Sequence, residues 1–162
     1  MSQETPRVVF DCNVFVQGIA SRNSPARKAL RLVFNGAISL FVSEAIVREV
    51  RDVLSRPEVR RQLPGISDRI VNAFLTKLEA KAILITNIPE EYRYERDPDD
   101  EMYINLAIVA NASYLVSRDQ DLLDLMAGST DVASKFRLRY PFLHIMKTAD
   151  FVAEIESRKI GA

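Results

Sequence analysis

Acidic residues follow two apolar stretches of the sequence, and acids in such a pattern can hold a metal ion. Residues 8–10 form an unbroken apolar run that ends on Asp11, and residues 114–116 form another, followed by Asp119 and Asp121. Carboxylates are hard oxygen ligands, which suit Mg²⁺ or Mn²⁺ better than zinc. The chain has one histidine, so a histidine-rich zinc site is excluded.

Two further groups of acids come from the middle of the sequence. One segment holds four acids in five residues, among them Asp97, Asp99 and Asp100, at the predicted start of a helix. One or two acids would be enough to cap that helix and to favour its dipole. On an earlier predicted helix, Glu49 borders the apolar stripe, whereas Glu44 lies farther towards solvent. Glu49 is therefore preferred to Glu44, while the spacing leaves the choice among the three aspartates open.

Each acidic group also has a purely structural explanation. An aspartate after a strand is often a turn or cap residue, and Asp119 and Asp121 favour the amino end of the helix that comes after them. If both strands are central and parallel, however, Asp11 and Asp119 emerge at the same edge of the sheet. Carboxylates there raise each other's pKa unless a cation is present. The recurrence therefore favours a cation site, where Asn13 can hydrogen-bond whatever Asp11 holds.

Composition limits the class of protein. Nearly half of the 162 residues are apolar, which excludes a disordered chain and predicts a single domain over residues 1–162. Lys and Arg together number 22, as do Asp and Glu, so binding to nucleic acid would need a local basic surface or a metal. Cys12 is the only cysteine, which excludes an intrachain disulfide. No apolar run reaches about 20 residues and no signal-peptide pattern is visible, so we expect a cytoplasmic protein without a membrane span.

Strands and helices alternate along the chain, and no tight hairpin signal separates two strands. Strands are predicted at residues 8–10, 38–42, 82–85, 114–116 and 142–146. Helices are predicted to begin at Ser24, Ser43, Ser67, near Asp100, after Asp121 and at Thr148, and residues 128–141 form the least regular segment. The alternation predicts a parallel α/β sheet, whose strand ends would bring the acids together.

Four motifs in this order and spacing resemble those of a known family. They are Val-Val-Phe-Asp11-Cys-Asn13, Val-Arg-Glu49-Val, Asp97-Pro-Asp-Asp100 with Ala107 seven residues on, and Val-Ser117-Arg-Asp119-Gln-Asp121-Leu-Leu. Over residues 7–125 the chain resembles the PIN domain family, in particular the bacterial PIN proteins regarded as toxin components of toxin–antitoxin systems. The resemblance implies a Rossmann-like three-layer α/β/α sandwich with a central parallel sheet.

The resemblance also implies a ribonuclease that depends on Mg²⁺ or Mn²⁺ and cleaves single-stranded RNA. By position, its catalytic acids would be Asp11, Glu49, Asp100, Asp119 and Asp121, of which Asp11, Asp100 and Asp119 are the predicted metal ligands. Asn13 and Ser117 match polar support positions that would orient these carboxylates. A cluster of this size could hold one ion or two.

Three kinds of partner are expected. RNA is the first, and cations that could attract it near the acids are Arg22, Arg27, Lys28, Arg48, Arg51 and Arg118, although each alone is better explained as part of a solvated helix face. An antitoxin protein is the second, on the resemblance alone. A second copy of the chain is the third, because PIN proteins commonly dimerise and the helices near Ser43 and Ile66 have more apolar surface than a small sheet needs.

The main alternative is a phosphoacceptor or phosphatase-type domain, which also places acids at this edge of the sheet. The phosphatase pattern requires a second aspartate at the position that Asn13 occupies. A receiver domain requires a lysine after a late strand. Lys147 follows the last predicted strand but is not followed by a proline. A catalytically silent PIN scaffold that binds a protein partner is a further alternative, disfavoured because all the acids are present.

Overall fold

A five-stranded parallel sheet forms the centre of the molecule. The computed structural model describes the backbone of residues 4–160 and the side chains of residues 4–158. The strands are β1 (Arg7–Phe10), β2 (Ser39–Val42), β3 (Ile83–Leu84), β4 (Tyr114–Val116) and β5 (His144–Met146), in the spatial order β3-β2-β1-β4-β5. Every pair of neighbouring strands is parallel, as the alternation of apolar segments predicts.

Helices cover the sheet on both sides. They are α1 (Cys12–Ala20), α2 (Pro25–Phe34), α3 (Glu44–Ser55), α4 (Pro57–Gln62), α5 (Asp68–Lys81), α6 (Glu101–Val109), α7 (Gln120–Ala127), α8 (Asp131–Arg139) and α9 (Thr148–Ile160). Successive residues of a strand point to opposite faces, and Val8, Val9 and Phe10 are all buried. Both faces of β1 are therefore covered, which confirms the Rossmann-like sandwich.

The predicted serine caps begin three of these helices. The hydroxyls of Ser24, Ser43 and Ser67 each accept a hydrogen bond from the backbone N–H three residues further on, at 3.1, 3.2 and 3.3 Å. Among the helices that the structure describes, none combines the length and the apolar character needed to cross a membrane. With the exception of Ala133, the buried apolar side chains of the described residues form one contiguous cluster, which includes the residues of β1 and β4.

Three helices were not predicted. In α1 the apolar residues surround most of the axis, so the sequence shows no clear amphipathic stripe. Asp11 stands at the N-cap position, but its side chain makes no capping hydrogen bond. The short helix α4 buries no residue. In α8, which lies in the segment predicted to be least regular, only Ala133 and Phe136 are buried. Short helices with so little apolar periodicity give a weak signal.

The register of the central strands places the two strand–acid junctions side by side. Phe10 of β1 is paired with Val116 of β4, so both strands end at the same level. Asp11 follows the first strand, and its backbone N–H donates to the Val116 carbonyl at 3.0 Å. The carboxyl edge of the sheet thus brings Asp11 and the residues after Val116 together, at the place where open parallel sheets bind ligands.

Candidate metal centre

A buried serine links the ends of the two central strands. Ser117 follows β4 and is fully buried. Its hydroxyl donates to Asp11 Oδ2 at 2.6 Å and accepts from the backbone N–H of Asp119 at 2.9 Å. One hydroxyl therefore fixes the orientation of the Asp11 carboxylate and the position of the Asp119 backbone. The position of Ser117 in its motif predicts a supporting role, and its contacts are those that such a role needs.

Asp119 has a structural task as well as a place among the acids. Its Oδ1 accepts a hydrogen bond from the backbone N–H of Asp121 at 2.8 Å and so caps helix α7. The capping explanation considered from the sequence therefore describes a real contact. Capping uses only Oδ1 of Asp119. The other carboxylate oxygen, Oδ2, makes no hydrogen bond to the described residues. The second oxygen remains available as a ligand.

The acids before α6, in contrast, do not cap anything. A single 3₁₀ turn spans Pro98–Asp100. Asp97 precedes this turn and Asp100 ends it, and neither side chain makes a capping hydrogen bond. Asp100 is only 5% exposed, and its Oδ2 is buried without a hydrogen-bond partner. Asp99 points into solvent. A buried carboxylate oxygen without a partner is unfavourable, so the Asp100 carboxyl requires either a proton or a cation.

Asp100 belongs to a group of four carboxylates. Asp97, Asp100, Asp119 and Asp121 each offer one carboxylate oxygen, and these four atoms lie within 4.8 Å of one another. Oxygen donors at this density suit a hard divalent cation, so the residues present fit the ion that the sequence predicts. The structure brings the predicted residues Asp100, Asp119 and Asp121 together and adds Asp97, which the sequence left as a competitor. Asp11, also a predicted metal ligand, is not one of these four and is linked to them through the Ser117 hydroxyl, which bonds both Asp11 Oδ2 and the Asp119 backbone.

Burial and mutual repulsion disfavour the ionised forms of these acids. Burial, followed by the charges of Asp119, Asp97 and Asp11, raises the pKa of Asp100 to about 8. Burial also raises the pKa of Asp11, although the Ser117 hydroxyl and the backbone N–H of Asn13 act in the opposite direction. The sequence predicts a supporting role for the side chain of Asn13, but that side chain is exposed, and the contribution of Asn13 to the Asp11 carboxylate comes from its backbone N–H. Such perturbed acids in one cluster are typical of functional sites.

Glu49 lies at the Asp11 end of the site, and Glu44 does not. The hydroxyl of Tyr103, a residue buried in helix α6, donates to Glu49 Oε2. Burial raises the pKa of the Cys12 thiol to about 12, and the next contributions come from the charges of Glu49 and Asp11. Cys12 therefore stays protonated and serves in packing. Glu44 is exposed at the start of α3, whereas Glu49 is half-buried, so the geometry favours Glu49 as a site residue.

An arginine that was not among the predicted site residues contacts the acidic cluster. Arg96 Nε lies 2.6 Å from Asp121 Oδ1, and its Nη2 lies 2.7 Å from Asp124 Oδ2. The hydroxyl of Tyr94 donates to the backbone carbonyl of Asp121 at 2.6 Å. One oxygen of Asp121 is thus neutralised within the protein. The sequence signal was the position of Arg96 directly before the acidic segment, next to two tyrosines.

Two of the cations predicted to flank the site have other contacts. The guanidinium of Arg27 donates to the backbone carbonyls of Gly18 and Ile19 at the end of α1. Arg51 donates to Asn72 Oδ1 at 2.7 Å and joins α3 to α5. Arg51 is exposed, as expected for a residue on a solvated helix face, whereas Arg27 is half-buried and ties α2 to α1, a role that neither explanation predicts.

Comparison with known proteins connects this geometry to a family. A model of the PIN domain matches residues 7–121. The chain is also 28% identical over 150 residues to the uncharacterized protein MJ1680 of Methanocaldococcus jannaschii, covering 93% of this chain and 92% of that protein. The matched segment begins at β1 and ends in the first turn of α7, and it therefore includes every acid of the site. With most of its length and both strand–acid junctions inside that match, the chain belongs to the PIN domain family.

Proposed function

We propose that this protein is a ribonuclease that requires Mg²⁺ or Mn²⁺ and cleaves phosphodiester bonds of single-stranded RNA. PIN domains are generally nucleases that use divalent metals and act on RNA. The observation that supports the proposal most strongly is the group of four carboxylates within 4.8 Å, with an unpartnered buried oxygen on Asp100. A scaffold with no use for a cation would gain stability by replacing one of these acids with a neutral residue.

The proposed ligands are Asp100 and Asp119, with Asp11 and Asp97 as further oxygen donors. A bound divalent ion would lower the pKa of a water molecule in the site and would stabilise the negative charge that develops on a phosphate. The protein's own part is to hold the donors in place. Ser117 fixes Asp11 and the backbone of Asp119, and Arg96 keeps Asp121 paired.

Glu49 is the proposed acceptor for the proton of an attacking water. The Tyr103 hydroxyl occupies Glu49 Oε2 and fixes the side chain, while Oε1 makes no hydrogen bond to the described residues. A carboxylate with one oxygen fixed and the other open can orient a water molecule and accept its proton. The neutral hydroxyl of Tyr103 is a stable donor at ordinary pH, because burial and the bond to Glu49 raise its pKa.

Incubation with RNA tests the proposal. We expect a fluorescent, unstructured RNA to be cut in Mn²⁺ or Mg²⁺ and to stay intact in chelator, since the acids alone repel a phosphodiester. The same samples are offered a small phosphate monoester. Release of phosphate from the monoester without cleavage of RNA would support the phosphatase-type alternative. Binding of a protein partner without either reaction would support a silent PIN scaffold.

We further propose that the protein acts as the toxin of a toxin–antitoxin pair, because PIN nucleases often pair with antitoxins. A nuclease with this role depletes cellular RNA when no antitoxin restrains it. Induced expression of the wild-type chain in a bacterial host should therefore stop growth, while a chain with Asp119→Asn should not. Equal growth of both cultures, with both proteins present in soluble extracts, would contradict a toxin role.

We also propose that the protein is a homodimer. The apolar stripes of α3 and α5 are largely consumed by the core, since Ile46, Val50 and Leu75 are buried. Among the large apolar side chains that stay exposed, Ile83 and Leu84 are neighbours on the edge strand, where they are 45% and 50% exposed. An edge strand with exposed apolar side chains is a natural surface for a second copy. Sedimentation should give a dimer mass that falls on dilution, and a constant monomer mass would exclude the dimer.

A further inference from the structure

A groove of about 470 Å³ lies beside the acidic cluster. Its walls are the segment before the 3₁₀ turn, on one side, and helices α7 and α8, on the other. Among the side chains that line it are Tyr92, Tyr94, Arg96, Leu125, Lys135 and Phe136. The volume falls within the range of roughly 300–1,000 Å³ that is usual for small-molecule and cofactor sites.

Two cations of the groove have no partner among the described residues, although the chain as a whole is neutral. Four cations line the groove, namely Arg93, Arg96, Lys135 and Arg139, but Arg96 pairs with Asp121 and Asp124, and Arg139 lies 3.6 Å from Glu91. Arg93 and Lys135, on opposite walls, make no side-chain hydrogen bond or ion pair with any described residue. These two charges are therefore open to a ligand, and a local excess of cations attracts anions.

Tyr92 supplies the aromatic surface of the groove that a ligand can reach, because Phe136 and Tyr94 are only 1% and 3% exposed. The half-buried ring of Tyr92 packs edge-to-face against Phe136, with centroids 5.1 Å apart. Val132 of α8 is 51% exposed on the same lining. Cations interleaved with aromatic and apolar surface are typical of proteins that bind single strands, in which the phosphates meet cations and the unpaired bases meet rings. An acidic peptide would use the cations but leave the aromatic surface without a partner.

The loop wall of the groove is held in place before any ligand binds. Asn105 Oδ1 accepts from the backbone N–H groups of Glu91 and Tyr92 at 3.1 and 2.8 Å, and its Nδ2 donates to the Tyr92 carbonyl at 3.1 Å. On the other wall, Arg137 donates to the Leu125 carbonyl at 2.9 Å and ties α8 to α7. A preformed surface loses less conformational entropy on binding.

The groove adjoins the candidate metal centre at Arg96. Arg96 lines the groove and pairs with Asp121, which belongs to the cluster of four carboxylates. We propose that this groove binds the nucleotides of single-stranded RNA that flank the bond to be cut. The inference rests on the proposed ribonuclease function and specifies where on the surface the strand runs.

Binding in chelator tests the groove without any cleavage. The probe is a fluorescent oligouridine of about ten nucleotides, a length within the usual range for single-strand sites. The double variant Arg93→Gln/Lys135→Gln should weaken binding about tenfold and reduce the salt dependence by about 1.4 in logarithmic slope, since each lost phosphate contact removes about 0.7. The matched control is Arg61→Gln/Arg69→Gln, two exposed arginines on α4 and α5 that line no part of the groove.

The outcomes separate the groove from the nuclease proposal. If the groove variant binds oligouridine as tightly as the control, the groove inference is wrong, even if the wild type cuts RNA. If binding falls only in the groove variant and no RNA is ever cut, the groove stands and the ribonuclease proposal fails. Oligoglutamate of equal charge is the competitor. If it displaces the RNA at equal concentration, the proposal that the groove binds RNA is wrong and an acidic peptide is the better ligand. If the double variant unfolds at a lower temperature than wild type, the single variant Lys135→Gln gives the same comparison.

Discussion

Asp119→Asn is expected to lower RNA cleavage at least about a hundredfold, since even residues outside the ligand shell change activity by 10- to 100-fold. The fold should survive, because the amide oxygen of Asn can still accept the backbone N–H of Asp121 that Asp119 Oδ1 accepts at 2.8 Å. The substitution therefore removes a charge and a ligand while it preserves the helix cap. Cleavage is measured as initial rates in Mn²⁺, and far-UV circular dichroism checks the fold.

Asp99→Asn is the matched control for this experiment. It removes the same charge from the same acidic region, but Asp99 is exposed and does not belong to the cluster of four carboxylates. Its cleavage rate should stay within about twofold of wild type, as expected for an exposed charge away from the site. A result in which both variants cut RNA at the wild-type rate, still only with metal, would place the active site elsewhere on the molecule.

The central sheet and its acids could be predicted because their signal is local. A run such as residues 8–10 is apolar at every position only when both faces of a strand are buried, and parallel strands bring the residues at their carboxyl ends to one edge. That reasoning leads to Asp11 and Asp119 without any knowledge of tertiary contacts. Glu49 could be preferred to Glu44 for a similar reason, because the helical period places it beside the buried stripe.

Other features could not be predicted, because they depend on geometry that periodicity does not contain. Asp97 and Asp99 differ only in their place around a 3₁₀ turn, and the α-helical period cannot say which of them faces Asp100. Arg96 meets Asp124 and Tyr94 meets Asp121 only because the chain folds back over nearly thirty residues. The groove could still have been suspected from the alternation of tyrosine and arginine in residues 92–96, which is a local pattern.

Asp100→Asn is expected to stabilise the metal-free protein at neutral pH. The pKa of Asp100 is raised to about 8 by burial and by its acidic neighbours, whereas an unfolded aspartate titrates near 3.9. The ionised form is therefore disfavoured in the folded state. The resulting loss of stability is absent below about pH 4, grows as the pH rises towards 8 and is complete above it. Asparagine cannot ionise, so the variant avoids the loss.

The expected size is about 1–2 kcal/mol, below the full value of the pKa difference because water and side-chain movement relieve a buried charge. For a chain of this length that corresponds to a melting temperature about 3–6 °C higher than wild type in chelator near pH 7.5. The advantage should shrink near pH 5, because the unfolded wild-type carboxyl is there only about one pH unit above its pKa near 3.9 and gains little free energy by ionising. Thermal melts of the two proteins at both pH values measure it.

Divalent metal should reverse the order of the two melts. A ligand that binds only the folded state adds about 2.7 kcal/mol at a hundred times its Kd, and wild type should gain this from Mn²⁺ or Mg²⁺ while the variant gains less. Asp99→Asn should follow wild type under every condition, since its side chain is exposed. If Asp100→Asn instead melts lower in chelator and gains as much from the metal as wild type, the Asp100 carboxylate stabilises the fold and is not a ligand. If the order of melting temperatures reverses with metal only for Asp100→Asn, the Asp100 carboxylate lowers the stability of the metal-free protein and raises that of the metal-bound protein.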